Sequence, residues 1–308
     1  MPEILKICVT SHFEGAARKI LENAPPHIVS FDKNDLALAD IAFGQPDRDI
    51  LMQSPSLRWA HISSAGYTNY DRDDVRAALK ARGAILTTSS HVFDEPCAQH
   101  AAAMILAFAR QLPQSWEARG QWNGSERRAH SFLLNEQTVL FLGFGAIGVR
   151  LAAMLAPFGM KIVALRRQPR GDEGVTIIDE SELSEALKIA DHVVNILPEN
   201  DATRGFVSAT RFARMKRGAR YYSIGRGSTT DQDALLELLQ MGHLGAAYLD
   251  VTTPEPLPPE HPLWNAPNCF ITPHSAGGHQ GEDIRLAHHF CANLRAFQSG
   301  RGLIDRVI

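Results

Sequence analysis

The sequence predicts an α/β protein built from two doubly wound parallel-sheet domains, and three observations carry that prediction. Short apolar runs alternate with stretches of helical spacing along almost the whole chain, the pattern of a parallel sheet covered by helices. The alternation is interrupted once, across residues 113–136, so it forms two series. A glycine-rich run, Gly143-Phe144-Gly145-Ala146-Ile147-Gly148, stands near the head of the second series, after the apolar run Thr138-Val139-Leu140-Phe141-Leu142.

In the first series, residues 4–10, 27–31, 39–43, 59–63 and 84–88 read as strands, and residues 15–21 and 75–81 have helical spacing. Asp94-Glu95-Pro96 then predicts a helix start, with acid in the first turn and proline at the first helical position. The segment it opens, 96–112, is alanine-rich and apolar nearly all round, which predicts burial between layers or domains. Residues 113–136 show no steady period and read as a long loop or arm, with Trp116 and Trp122 as packing or interface residues. The second series predicts strands at 138–142, 161–165, 192–197, 220–224, 246–251 and 269–272, and helices at 146–158, 181–189, 208–215 and 231–241. Six parallel strands in this order suit a Rossmann domain. A last amphipathic helix covers 281–299.

Bulk properties narrow the function classes. A length of 308 residues suits about two domains, and 44% apolar residues are ample for two cores. The net charge of −3 offers no basic face, so nucleic acid is not an expected partner. The longest apolar run, 101–109, is too short to span a bilayer, and the opening residues lack a signal-peptide pattern. A cytoplasmic protein without a membrane partner is expected. The four cysteines, Cys8, Cys97, Cys269 and Cys291, are scattered and read as thiols in a reducing compartment.

The glycine run lies between a predicted strand and a predicted helix. There the first glycine permits a tight turn, the second lets backbone approach a pyrophosphate, and the third lets the helix pack closely. The helix N-terminal N–H groups then face the phosphates. In an NAD site a carboxylate about 20 residues further on takes the ribose 2′-hydroxyl. Here the second strand is followed by Arg166-Arg167-Gln168-Pro169-Arg170, with no acid at its end. A guanidinium can hold a 2′-phosphate bidentately. NADP(H) is therefore expected in preference to NAD(H), with Arg166 and Arg167 at the phosphate.

Three downstream segments place one ionisable group each beyond a predicted strand, where a doubly wound sheet binds its ligands. Arg226 in Ser223-Ile224-Gly225-Arg226-Gly227 supplies a fixed cation. Glu255 supplies a carboxylate, and His274 supplies a group able to move a proton near neutral pH. His288 and His289 are adjacent on a helix and point about 100° apart; no metal site is expected.

These motifs, with Ser63-Ser64-Ala65-Gly66, Leu197-Pro198, Met215-Lys216-Arg217-Gly218, Thr272-Pro273-His274 and Asn293-Leu294, resemble the D-isomer-specific 2-hydroxyacid dehydrogenases over nearly the whole chain. That family includes glyoxylate/hydroxypyruvate reductases and phosphoglycerate dehydrogenases. The resemblance implies that a Rossmann cofactor domain, residues 96–274, is inserted into a flavodoxin-like substrate domain formed by 1–95 and 275–308. It implies catalytic roles for Arg226 (substrate carboxylate and keto oxygen), Glu255 (orienting His274) and His274 (proton exchange). It further implies that Ala65 and Gly66 bind the substrate carboxylate through backbone N–H groups, alongside Arg226 and His274. Cofactor contacts from Leu197, Pro198, Thr203, Ile224, Gly225 and Asp250 follow from the same likeness, as does a homodimer contacting through 113–136. The implied reaction is hydride transfer between NADP(H) and a small 2-keto or D-2-hydroxy acid.

The chain departs from the family pattern in two further places. Ser223-Ile224-Gly225 precedes Arg226 where family members often carry an Asn or a small pair. The crossing helix reads Ala98-Gln99-His100 where the family often has Ala-Glu-His, which removes a carboxylate. Two alternative functions share the fold. One is formate or phosphite oxidation, against which Glu255 argues, because formate dehydrogenases of this fold carry Gln there. The other is a non-enzymatic dinucleotide-sensing corepressor, which turnover would exclude.

Overall fold

The computed structural model describes residues 3–24 and 27–308. The chain divides into two compact units, Met1–Phe93 with Gly278–Ile308, and Asp94–Gly277.

The first unit holds a five-stranded sheet of β1 (Lys6–Val9), β2 (Ile28–Ser30), β3 (Ile41–Gly44), β4 (Trp59–Ile62) and β5 (Ile85–Thr87). All neighbours pair in parallel, in the order β2-β1-β3-β4-β5. This is the flavodoxin-like winding. Successive side chains of a strand point to opposite faces, and here both faces are buried. Ile7, Val9, Ile41, Phe43 and Trp59 pack on one side with Leu286, Phe290 and Leu294 of the helix Glu282–Gln298. Cys8, Ala42, Ala60 and Ile62 pack on the other with Val75 and Leu79 of the helix Asp73–Ala81.

The second unit holds β6 (Thr138–Leu142), β7 (Lys161–Leu165), β8 (Thr176–Ile178), β9 (His192–Asn195), β10 (Arg220–Ser223), β11 (Ala246–Leu249) and β12 (Cys269–Ile271). These seven parallel strands run β12-β11-β10-β9-β6-β7-β8, a Rossmann order extended by one edge strand. Leu140, Leu142, Val193, Tyr221 and Leu249 face one core, and Val139, Phe141, Val194, Tyr222 and Tyr248 face the other. The order reverses between β6 and β9, so the strand ends 142–146 and 195–198 flank the topological switch point.

Several elements differ from the sequence-based expectation, among them the helix Arg48–Gln53, where no element is expected. β8 is an extra strand; at three residues on the sheet edge it is too short to show a period. The long apolar helix runs Ser90–Ala109 and carries Pro96 inside it instead of beginning there. Packing outweighs the proline signal, because Val92 is buried in the first unit's core and Ser89 Oγ donates to Ile62 O at 2.8 Å just ahead of the helix. Residues 113–136, expected to be a loop, include part of the helix Leu112–Glu117 and all of the helix Gly124–His130. Neither has an apolar stripe to reveal it: Pro113 is the one buried residue of the first, and the second has none.

Candidate active site

The glycine run forms the turn from β6 into the helix Ala146–Leu155. Gly143 has φ of +89°, a left-handed backbone that glycine adopts freely, and its N–H donates to Leu165 O at 3.2 Å. A Cβ at Gly145 would meet open space, which leaves the turn approachable from outside. A Cβ at Gly148 would lie 3.0 Å from Phe144 Cδ2, so the third glycine accommodates the Phe144 ring. Beside the turn lies a cavity of about 450 Å³ whose walls include Gly143, Gly145, Arg166, Arg167, Leu197 and Thr203. Phe144 and Pro198 also line it. Ala146, Ile147 and Gly148 lie in the helix that the turn opens, and Ile224, Gly225 and Asp250 follow β10 and β11. The turn, the open second glycine and the cavity fit a dinucleotide.

At the end of β7, Arg166 donates from Nε to Gln168 O at 2.8 Å and from Nη1 to Phe144 O. The acids that line the cavity are occupied: Asp179 accepts from Ser181 N at 2.8 Å, and Glu180 pairs with Arg211. Arg167 lines the cavity and has no hydrogen bond or ion pair with the described residues.

The three strand-end groups lie on neighbouring turns of this unit. His274 Nδ1 is 2.9 Å from Glu255 Oε2, and Glu255 Oε1 accepts the Thr252 N–H at 3.0 Å. His274 has φ of +50°, in the left-handed region, where a non-glycine residue persists when its surroundings over-determine it. Those surroundings centre on buried Asp250. Its Oδ1 accepts from Thr272 Oγ1 at 2.6 Å and Ser275 N at 2.9 Å, its Oδ2 accepts from Ala276 N at 3.0 Å, and its carbonyl accepts His274 N–H at 2.9 Å. Asp250, expected among the cofactor contacts, thus has both carboxylate oxygens bonded to the loop that carries His274. Arg226 is half-buried with Nη1 donating to Gly225 O at 2.7 Å. Gly227, next to it, packs against Thr252 so closely that a Cβ would lie 2.7 Å from Thr252 Cα. The Arg226 turn and the Glu255 turn therefore abut.

Several supporting residues were not anticipated from the sequence. Buried Asn195 donates from Nδ2 to Thr229 Oγ1 at 2.8 Å and to Tyr221 Oη at 2.9 Å, while its Oδ1 accepts Leu197 N–H at 3.2 Å. Thr229 Oγ1 donates onward to Arg226 O at 2.7 Å, linking the Leu197 loop to the Arg226 turn. The carboxylate missing at Gln99 stands one helical turn earlier: Glu95 Oε1 accepts from Gln99 Nε2 at 2.7 Å, and its other oxygen pairs with Arg150 on the helix behind the glycine turn. Burial pushes Tyr248 well above its ordinary value, so its hydroxyl, 2.6 Å from Thr272 Oγ1, stays protonated. Ala65 and Gly66 belong to the first unit, after β4, where Ser64 Oγ donates to Gly66 O at 2.6 Å and Gln45 Nε2 donates to Ser64 Oγ at 3.1 Å. Among the described residues no group of three or more potential metal ligands gathers, and no helix is long and apolar enough to cross a membrane.

Residues 102–276 match the family described as D-isomer specific 2-hydroxyacid dehydrogenase, NAD binding domain. The chain is 36% identical over 315 residues to a glyoxylate/hydroxypyruvate reductase B of Salmonella newport, covering 99% of this chain and 94% of that one. It is 31% identical over 297 residues to a glyoxylate reductase of Aeropyrum pernix, covering 92% and 88%. Among solved structures, a D-isomer specific 2-hydroxyacid dehydrogenase from Xanthobacter autotrophicus Py2, in complex with NADPH and MES, superposes with a TM-score of 0.84 at 26% identity over 99% of this chain and 98% of that one.

Proposed function

The chain belongs to the D-isomer-specific 2-hydroxyacid dehydrogenase family, and from that premise we propose that it reduces a small 2-keto acid to the D-2-hydroxy acid with NADP(H), as a glyoxylate/hydroxypyruvate-type reductase. The observation that carries the reading is the His274–Glu255 pair, held by Asp250 on a turn of its own and abutting the turn of Arg226.

The roles follow from donor and acceptor chemistry. An ionised carboxylate only accepts, so Glu255 at 2.9 Å makes Nδ1 of His274 the N–H side of that bond. The other ring nitrogen, Nε2, then holds the exchangeable proton, which it gives to the keto oxygen during reduction and takes back during oxidation. Arg226 offers its fixed charge to the oxygen as negative charge develops there, and pairs with the substrate carboxylate. A bound nicotinamide supplies the hydride. The glycine turn and the cavity beside it would hold the cofactor's phosphates, with Leu197, Pro198, Thr203, Ile224 and Gly225 along its length. For Ala65 and Gly66 the carboxylate-binding role rests on the family resemblance.

NADP(H) is favoured by three features. No carboxylate ends β7. Arg167 is uncommitted at the cavity wall, and the lining acids Asp179 and Glu180 are tied to their own partners. The similar Xanthobacter enzyme was solved with NADPH. The segment 112–133 leaves Trp116, Trp122 and Leu133 exposed, which supports a homodimer through this face. The test is a panel of small 2-keto acids assayed with NADPH and with NADH. At least about tenfold higher kcat/KM with NADPH is expected, the effect of one or two charge-assisted bonds. A preference for NADH would remove the cofactor assignment, and no turnover of any 2-keto acid would remove the reaction.

A further inference from the structure

The loop that follows β7, residues 166–174, takes its shape from one side chain. Glu173 turns back on the loop, its Oε1 accepting Arg170 N–H at 2.6 Å and its Oε2 accepting Gly171 N–H at 2.9 Å. The same Oε1 lies 3.5 Å from Arg166 Nε, and only 5% of the Glu173 side chain is exposed although the loop is at the surface. The Arg170 N–H, ahead of other contacts, holds the Glu173 carboxyl below the ordinary carboxylate range, so it is charged at neutral pH. Arg166 continues the connection with Nη1 bonded to Phe144 O inside the glycine turn. An unbroken path thus runs from Glu173 through Arg166 to the turn. Arg167 projects from this braced segment onto the cavity wall.

We propose that Glu173 is a positioning residue for cofactor discrimination: by closing the 166–174 loop and bracing Arg166 against the glycine turn, it sets Arg167 where a 2′-phosphate is read. This rests on the NADP(H) reading above. Arg166 then serves as a strut, and Arg167 carries the phosphate contact. Two effects of Glu173 oppose each other. Its negative charge repels a phosphate, but the Arg166 guanidinium, 3.5 Å from the same carboxylate, offsets that charge. Its two charge-assisted bonds to backbone N–H groups belong to the stronger class and order a loop containing Gly171 and Gly174. Ordering is the larger effect, so removing Glu173 weakens phosphate recognition.

The experiment is calorimetric titration of the full chain, and of Glu173→Ala and Glu173→Gln, with adenosine 2′,5′-bisphosphate and with 5′-AMP. Wild type is expected to bind the bisphosphate more tightly than AMP. Glu173→Ala should bind the bisphosphate about tenfold or more weakly while AMP binding stays within about twofold, which also shows that the fold is intact. Glu173→Gln keeps one acceptor and should recover part of the loss. If Glu173→Ala binds the bisphosphate as well as or better than wild type, the positioning role is overturned and the NADP(H) reading stands. If wild type does not distinguish the two nucleotides, the NADP(H) reading fails and this inference fails with it.

Discussion

Replacing Gly227 by Ala tests whether the contact between the Arg226 turn and the Glu255 turn sets the catalytic geometry. Gly227 is buried and does not have a left-handed φ, so alanine suits its backbone; the obstacle is Thr252. A Cβ on Gly227 would lie 2.7 Å from Thr252 Cα, and closer still to that residue's carbonyl group. Carbon atoms pack best at about 3.5–4.0 Å, so the two turns must part by about 1 Å. One of them carries Arg226. The other carries Thr252, whose N–H fixes Glu255 at 3.0 Å and thereby His274. A displacement of that size costs about 10²-fold in rate, and the overpacking costs about 1–3 kcal/mol of stability. The assay is kcat/KM for the 2-keto acid at saturating NADPH together with a thermal melt. Gly302→Ala is the control, because a Cβ there meets nothing within 4 Å. A Gly227→Ala chain that stays within about threefold of wild-type kcat/KM would refute the claim that these abutting turns hold the geometry.

Three further outcomes follow from the site and its supports. His274→Ala should lower kcat by about 10²–10⁴-fold; an unchanged single-turnover rate would remove the proton-transfer role. Asp250→Asn puts an amide donor among groups that already donate, Thr272 Oγ1, Ser275 N and Ala276 N. It should cost about 1–3 kcal/mol and lower kcat, while KM for NADPH stays within about twofold; a variant with wild-type melting and turnover would show that the loop does not depend on that carboxylate. Burial pushes His192 down from 6.5 to about 3. Between those pH values the unfolded chain binds a proton that the folded chain refuses, so stability falls as pH falls through that window, by about 1.4 kcal/mol per pH unit. His61 in the first unit, also near 3 through burial, acts in the same direction there. Denaturant melts of wild type and His192→Gln at pH 6 and pH 5 (roughly the upper half of that window) should show a flatter dependence for the variant; equal slopes would contradict the buried neutral imidazole.

What was legible in the sequence was what local chemistry writes into neighbouring residues. The run 143–148 combines a strand end, a left-handed glycine and a helix start within six letters, and the structure assembles it so. The alternation of apolar runs gave both parallel sheets, because each strand buried on two faces must be apolar throughout. Legibility ended where a partner lies far along the chain. Asn195 meets Thr229 across 34 positions and Asp250 meets Ser275 N across 25, and neither distance leaves a periodic trace. Glu173 was hidden differently: its backbone partners are two and three residues away in a glycine-bearing loop, where the fold of the loop and not any motif brings them together. Pro96 shows the reverse failure, a clear local signal overridden because Val92 has a core to enter. Glu95 places a carboxylate one helical turn before Gln99, close enough to bond with it, which a position-by-position comparison does not show.

The chemistry proposed for this site is the reduction of a 2-keto acid by NADPH to a D-2-hydroxy acid. It is tested most directly by incubating the chain with NADPH and hydroxypyruvate and determining both the NADPH consumed and the configuration of the glycerate formed. D-glycerate equal in amount to the NADPH oxidised is the predicted result. No consumption of NADPH, or formation of L-glycerate, would contradict it.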